Sequence, residues 1–268
     1  MLGLLSLNGE TQARWGPDLA HLTEADVQTF RDSEIDVFHT AFGVGGRTQE
    51  DAYRNVLAFV AGYNAIVANR PDAFVRIDST ADLDAVHGSG RAGILIGVQN
   101  SQHFRDADDV NAFHALGQRV SQLTYNSRNA IGNGATERVD GGISDFGVGI
   151  VERMNTVGMA VDVSHSGDQT TLDACAVSRR PVLYTHSNAR ALNPGHPRCK
   201  TDEAIRRMAA TGGVMGITGV RNFVKDSEPT TVEDYLDHFD HVRDLVGVEH
   251  LGVGSDIALH GYDDMPPD

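Results

Sequence analysis

Apolar positions along this chain alternate between two periods. Short runs, apolar at almost every position, read as strands buried on both faces. The clearest is Ala92 to Val98 (AGILIGV). Similar runs are Gly3 to Leu7, Ile35 to Phe42, Arg119 to Tyr125, Met159 to Val163, Pro181 to Tyr184, Gly213 to Thr218 and Leu251 to Gly254. A ninth β-like run, Ala73 to Ile77, has no obvious place. Between the runs the period changes to that of an amphipathic helix. Over Thr48 to Asn69, the residues Ala52, Val56, Phe59, Val60, Tyr63 and Val67 share one face. Shorter helices are predicted over Leu22 to Phe30 with Thr23 as N-cap, Thr80 to His87, Asp108 to Leu116, Gln169 to Val177 and Thr201 to Ala210. Ser144 caps another, in which Ile150, Val151, Met154 and Val157 face one way and Gly158 is the stop. Thr230 and Glu233 predict a capping box. The helix it opens buries Val232, Tyr235, Leu236, Phe239, Val242 and Leu245 and ends at Gly247.

Eight strands alternating with helices, with no shift of composition, predict a single α/β domain over residues 1–268, a (β/α)8 barrel. A doubly wound open sheet is the alternative. Twelve residues follow Asp256, so the eighth helix is expected to be missing or truncated. Net charge is −15 and no basic patch occurs, which excludes nucleic acid and anionic membrane as expected partners. Two cysteines, no secretory leader and no apolar run of about 20 residues point to a reducing, cytoplasmic setting without a membrane span.

The chemistry gathers in one stretch, Gly158 to His186. Two strand-like runs there are joined by a helix, and each is followed by a histidine, His165 and His186. A right-handed crossover makes such strands parallel neighbours, with both imidazoles at the carboxyl rim where barrel sites form. The other strand ends bring Gln99, Tyr125 and Asp256 to that rim, and Arg198 follows the sixth strand. Two histidines, a carboxamide and a carboxylate make a candidate divalent-metal site, zinc being favoured by the imidazoles. Arg198 reads either as a clamp for a substrate carboxylate or as the partner of Asp202 or Glu203. Asp256 reads alternatively as a helix N-cap and Tyr125 as barrel packing. His39 and His103 lie within reach of the mouth. His21, His87, His114, His238, His241 and His250 fall on helices or loops and read as solvated.

From Gln122 to Asp256 the chain resembles the membrane (renal) dipeptidase family of zinc metallopeptidases. The blocks that carry the resemblance are QLTYN, FGVGIVERMNTVGMAVDVSHS, PVLYTHSNARAL, HPRCKTDEAIRRMAATGGVMGI and GVEHLGVGSD. It implies an amidohydrolase-like barrel that hydrolyses a dipeptide amide with metal-activated water. It also implies that His165 and His186 hold zinc, that Asp256 contacts metal and handles the proton, that Arg198 grips the substrate carboxylate, and that the protein is a homodimer. Three departures stand out. Leu4 and Ser6 occupy the register of the family's first-strand His-x-Asp pair, Gln99 that of its bridging glutamate, and Tyr125 that of the histidine thought to polarise the scissile carbonyl. The chain in this respect is similar to divergent members of the family. Two divalent ions bring four positive charges, and of the family's three carboxylates only Asp256 remains to offset them. One zinc ion is therefore expected rather than two. A tyrosine hydroxyl at 125 can still donate to an oxyanion. The reading is a dipeptidase-like hydrolase of a dipeptide or similar small carboxylated substrate. The alternatives are an impaired barrel that binds a small carboxylated ligand, and a mononuclear hydrolase of another amide or ester.

Overall fold

The structure, a computed structural model, describes residues 22–40 and 46–256. The run Gly3 to Leu7, the segment after Asp256 and His21 lie outside the described residues. Within them the strands are β1 (Val37–Thr40), β2 (Phe74–Arg76), β3 (Ala92–Val98), β4 (Gln118–Gln122), β5 (Ala160–Asp162), β6 (Val182–Ser187), β7 (Met215–Ile217) and β8 (Leu251–Val253). All pair in parallel, in the order β1-β3-β4-β5-β6-β7-β8. Consecutive parallel strands need helical crossovers, so the order in the chain becomes the order around the sheet. This is the α/β barrel architecture that the pattern predicts.

The unplaced run becomes β2, and the pairing shows why it does not enter the sheet order. It pairs with Ala92, Gly93 and Ile94 of β3, while β1 holds the opposite edge of β3 over Gly93 to Ile96. From Ile96 onward β4 takes over the edge that β2 leaves, across a register shift between Ile96 and Gly97. β2 is thus a short strand inserted at the amino end of the β3–β4 seam. Phe30, on helix α1 (Glu24–Asp32), fastens this corner by packing edge-on against Phe38 and Phe74 at 5.3 and 5.7 Å.

The outer helices are α2 (Gln49–Asn69), α3 (Thr80–Val86), α4 (Ala107–Ala115), α5 (Asp145–Val157), α6 (Asp168–Val177), α7 (Asp202–Ala210), α8 (Arg221–Val224) and α9 (Val232–Val246). Their starts are local chemistry. Thr23 and Thr48 each form a capping box with an aspartate three residues on, and Ser144 and Thr201 cap α5 and α7. At α9 the predicted box is displaced by one residue. Thr231 and Asp234 form it, whereas Thr230 donates its backbone N–H to Glu228. Aspartate is long enough to close the box, and of the predicted face Val242 is buried while Tyr235, Phe239 and Leu245 pack against the core. Val232 and Leu236 are 67% and 51% exposed instead of buried. The buried face carries Val242 and His238, and His238 is not solvated as the sequence suggests. It accepts from the Ala189 amide at Nδ1 (3.1 Å) and donates from Nε2 to the Val224 carbonyl (3.0 Å).

Candidate active site

β5 and β6 carry the site. They pair with Val161 opposite Val182 and Asp162 opposite Leu183. β6 runs past the predicted end at Tyr184, so His186 lies inside the strand. His165 follows β5 by three residues. The register brings the two imidazoles together, with Nε2 to Nε2 at 2.8 Å. Their other nitrogens are anchored: His165 Nδ1 meets Asn126 Oδ1 at 2.7 Å, and His186 Nδ1 meets Thr185 Oγ1 at 2.9 Å. Thr185 in turn donates to Asp162 Oδ2 at 2.6 Å. Both histidines are buried, and burial, followed by the nearby Arg198 charge, holds their pKa values well below the ordinary range. The rings are therefore neutral at pH 7, the form that binds metal.

Tyr125 stacks on His165, ring centres 4.1 Å apart and planes 20° apart. Its hydroxyl makes no hydrogen bond among the described residues, and the residue is 36% exposed. Arg198 is buried and is not paired with Asp202 or Glu203. It donates to the carbonyls of Ser164 and His186, lies over the Phe223 ring at 5.1 Å and leaves Nε buried without a partner among the described residues. Asp202 takes His241 instead, at 2.8 Å. Asp256 sits just past β8 with φ of 57°, a left-handed backbone that aspartate tolerates better than most residues. Burial pushes its pKa up to about 6 against the opposing pull of Arg198. Asn126, which anchors His165, shares that backbone conformation, and such outliers cluster at functional sites.

Three further predicted residues are Gln99, His39 and His103, and His39 is near enough to His186 to lower its pKa. Gln99 is buried at the end of β3, where its carbonyl accepts from Gln122 Nε2 at 2.6 Å. His39 is buried with Nε2 unpartnered, its ring against Gly97 where any Cβ would collide, and burial drops its pKa to about 3. His103 is structural. It is wedged between Phe104 and Phe113 and bonded to the Asn100 carbonyl and the Gln118 side chain.

Four residues at the site escaped the sequence reading: Asn126, Asp162, Thr185 and Lys200. Each stands within three residues of one that was singled out, and a polar side chain entering or leaving an apolar strand was the available signal. Lys200 is buried, donating to the Val163 and Ser166 carbonyls at 2.8 Å each and to Thr171 Oγ1 at 3.3 Å. It thereby clamps the turn that carries His165. Asp140 also works at a distance: its carboxylate accepts from Gln169 N, Thr170 N and Thr170 Oγ1, supplying the cap that Gly167 cannot give α6.

The donor set bears on what the histidine pair can hold. Both Nε2 atoms face one point, and at 2.8 Å one of them holds the proton of a hydrogen bond to the other, a proton that a metal ion would replace. Two tetrahedral zinc–imidazole bonds separate their nitrogens by roughly 3.3 Å, so an opening of about half an ångström admits one ion. Among the described residues no group of three or more His, Cys, Asp or Glu side chains is arranged to hold a metal. The histidine pair is thus a two-imidazole donor set among the described residues.

Comparison with known proteins places this geometry. The chain is 32% identical over 225 residues to the dipeptidase verJ of Clonostachys rogersoniana, covering 81% of this chain and 58% of that one. It is 31% identical over 215 residues to the dipeptidase aclJ of Aspergillus oryzae, covering 78% and 51%. It thus spans about half the length of the curated relatives it matches. Among solved structures, an amidohydrolase from Pseudomonas aeruginosa superposes with a TM-score of 0.81 at 28% identity, covering all of this chain and 76% of that one. A metallopeptidase from Rhodobacter sphaeroides, bound to a phosphinate mimic of the dipeptide L-Ala-D-Ala, superposes at 0.82 with 20% identity, covering 95% and 86%. The membrane dipeptidase model, peptidase family M19, matches residues 7–266, and the chain belongs to that family.

Proposed function

We propose that this protein is a metal-dependent hydrolase that cleaves the amide bond of a dipeptide or similar small carboxylated substrate in the cytoplasm. The observation that carries the reading is the convergence of the His165 and His186 Nε2 atoms at 2.8 Å with both Nδ1 atoms anchored. These residues would hold one zinc ion, and Asp256, Gln99 and water would be available to complete its shell. The ion supplies Lewis acidity and a water of lowered pKa. Arg198, buried with Nε unpartnered among the described residues, binds the substrate carboxylate. Asp256, with a pKa of about 6, takes the proton from the attacking water and returns it to the leaving amine. The Tyr125 ring stacks on His165, and its hydroxyl, without a partner among the described residues, donates to the developing oxyanion.

The test is metal analysis of protein purified without chelator, coupled to dipeptide hydrolysis. About one equivalent of zinc and zinc-dependent turnover are expected. Metal-free protein that zinc neither stabilises nor activates would overturn the reading. A second reading is a barrel that binds a carboxylated ligand without turnover, supported by Gln99 and Tyr125 standing where the resemblance implies a glutamate and a histidine. Zinc bound at one equivalent with no hydrolysis across a dipeptide panel would support it.

A further inference from the structure

The chain Asp162–Thr185–His186 has a direction. Asp162 is buried, and its Oδ1 accepts three donors: Ser164 N at 2.9 Å, Ser164 Oγ at 2.6 Å and Thr185 N at 3.3 Å. Its Oδ2 accepts Thr185 Oγ1. Four donors converge on this one carboxyl group, and the buried cations Arg198 and Lys200 both feel its field. Burial raises the pKa of Asp162, and the Ser164 and Thr185 donors oppose that rise by favouring a carboxylate that accepts at both oxygens. The Thr185 hydroxyl has one proton and spends it on Asp162. Towards His186 Nδ1, at 2.9 Å, it offers only a lone pair. His186 must then carry its proton on Nδ1, which leaves Nε2 bare on the side of His165.

The geometry points to Asp162 as a positioning residue that acts through Thr185 to fix the His186 tautomer and so keeps its Nε2 lone pair available to a metal ion. The inference rests on the metal-dependent reading of the site and gives it a cause two residues removed from the ion. Outer-shell carboxylates of this kind typically change metal affinity by about 10- to 100-fold. Here the carboxylate acts through an intervening hydroxyl. If the relay ran the other way, the Thr185 proton would go to His186 Nδ1, the ring would be protonated at Nε2, and a cation would have to displace that proton.

Asp162→Asn reverses the relay. An amide nitrogen at the Oδ2 position donates to Thr185, and Thr185 then donates to His186. Thr185→Ala removes the relay, and Thr185→Ser restores it. Two measurements separate the outcomes. In zinc-free protein, nitrogen-15 NMR of the histidine rings should show His186 protonated at Nδ1 in the wild type and in Thr185→Ser, and at Nε2 in Asp162→Asn. In zinc titrations, Thr185→Ser should bind within about threefold of the wild type, while Asp162→Asn and Thr185→Ala should bind about 10- to 100-fold more weakly. An Nε2–H tautomer in the wild type would overturn the inference. So would wild-type zinc affinity in both Asp162→Asn and Thr185→Ala. Should Asp162→Asn fail to fold, the Thr185 pair decides. Should the wild type bind no zinc, the metal-dependent reading fails, and the ring tautomers still test the relay.

Discussion

Replacing Lys200 with methionine should change how stability depends on pH, by an amount the structure sets. The ammonium is buried against two carbonyls and the Thr171 hydroxyl, and burial pulls its pKa from 10.5 down to about 7, with the Arg198 charge adding to the effect. In the unfolded chain the amine regains its ordinary pKa. Between about pH 7 and 10.5 the unfolded state therefore binds more protons than the folded one, and stability must rise with pH. The penalty for burying the charge is fully present below pH 7 and is relieved as pH climbs. The maximum slope is about 1.4 kcal/mol per pH unit. From pH 7, where the folded amine is half protonated, to pH 9 the gain is about 2 kcal/mol. Cys175 and Cys199, raised by burial to about 11, act in the opposite direction above pH 9 and are common to both proteins. The informative quantity is thus the difference between wild type and Lys200→Met. Denaturant unfolding at pH 7, 8 and 9 should show that difference moving by about 2 kcal/mol in favour of the wild type, or roughly 4–8 °C in Tm for a chain of this size. The absolute difference at pH 7 is less telling, because methionine removes the desolvation cost and also leaves the Ser166 carbonyl short of its donor. Parallel pH profiles would refute the argument, since they would mean the amine is solvated or keeps its ordinary pKa.

His186→Ala should abolish zinc binding and turnover together, and retained turnover would remove that histidine from the mechanism. Tyr125→Phe keeps the stacking on His165 and removes only the hydroxyl. A fall in kcat of about 100-fold with little change in KM is expected, and unchanged kcat would return Tyr125 to a packing role. Arg198→Met should raise KM about 100-fold for a substrate with a free carboxylate, close to 3 kcal/mol, and leave the KM of its carboxamide analogue nearly unchanged. Equal effects on both would contradict a carboxylate clamp. Asp140→Ala uncaps α6 from a distance and should cost about 1–2 kcal/mol in chemical denaturation.

The architecture was legible because both periods are strong. The apolar run Ala92–Val98 is a strand buried on both faces, and every helix among the described residues from α1 to α7 begins within two residues of its predicted start. The errors have local causes. The run Ala73 to Ile77 had no obvious place because nothing in it reveals that it shares one edge of β3 with β4. Tyr235, Phe239, Val242 and Leu245 of α9 pack on the core as expected, while Val232 and Leu236 are exposed. His238 looked solvated because its partners, the Ala189 amide and the Val224 carbonyl, are distant in sequence.

At the site, the residues that end strands were readable and those that orient them were not. His165 and His186 stand at matched positions in consecutive units, a pattern visible in one dimension. Asp162, Thr185 and Asn126 matter through the direction of hydrogen bonds across two strands and a loop, and that direction exists only after folding. Lys200 lies two residues from a predicted substrate ligand, yet its amine turns back to the β5 turn. The Asp140 cap bridges 29 residues to Gln169, beyond the reach of any capping motif.

The most direct test of the central claim is an anomalous difference map at the zinc edge, from crystals grown without chelator. One strong peak between His165 Nε2 and His186 Nε2, with the nitrogens drawn apart to roughly 3.3 Å, is the predicted result. A flat map with the two nitrogens still in hydrogen-bond contact, from crystals soaked in zinc, would contradict it.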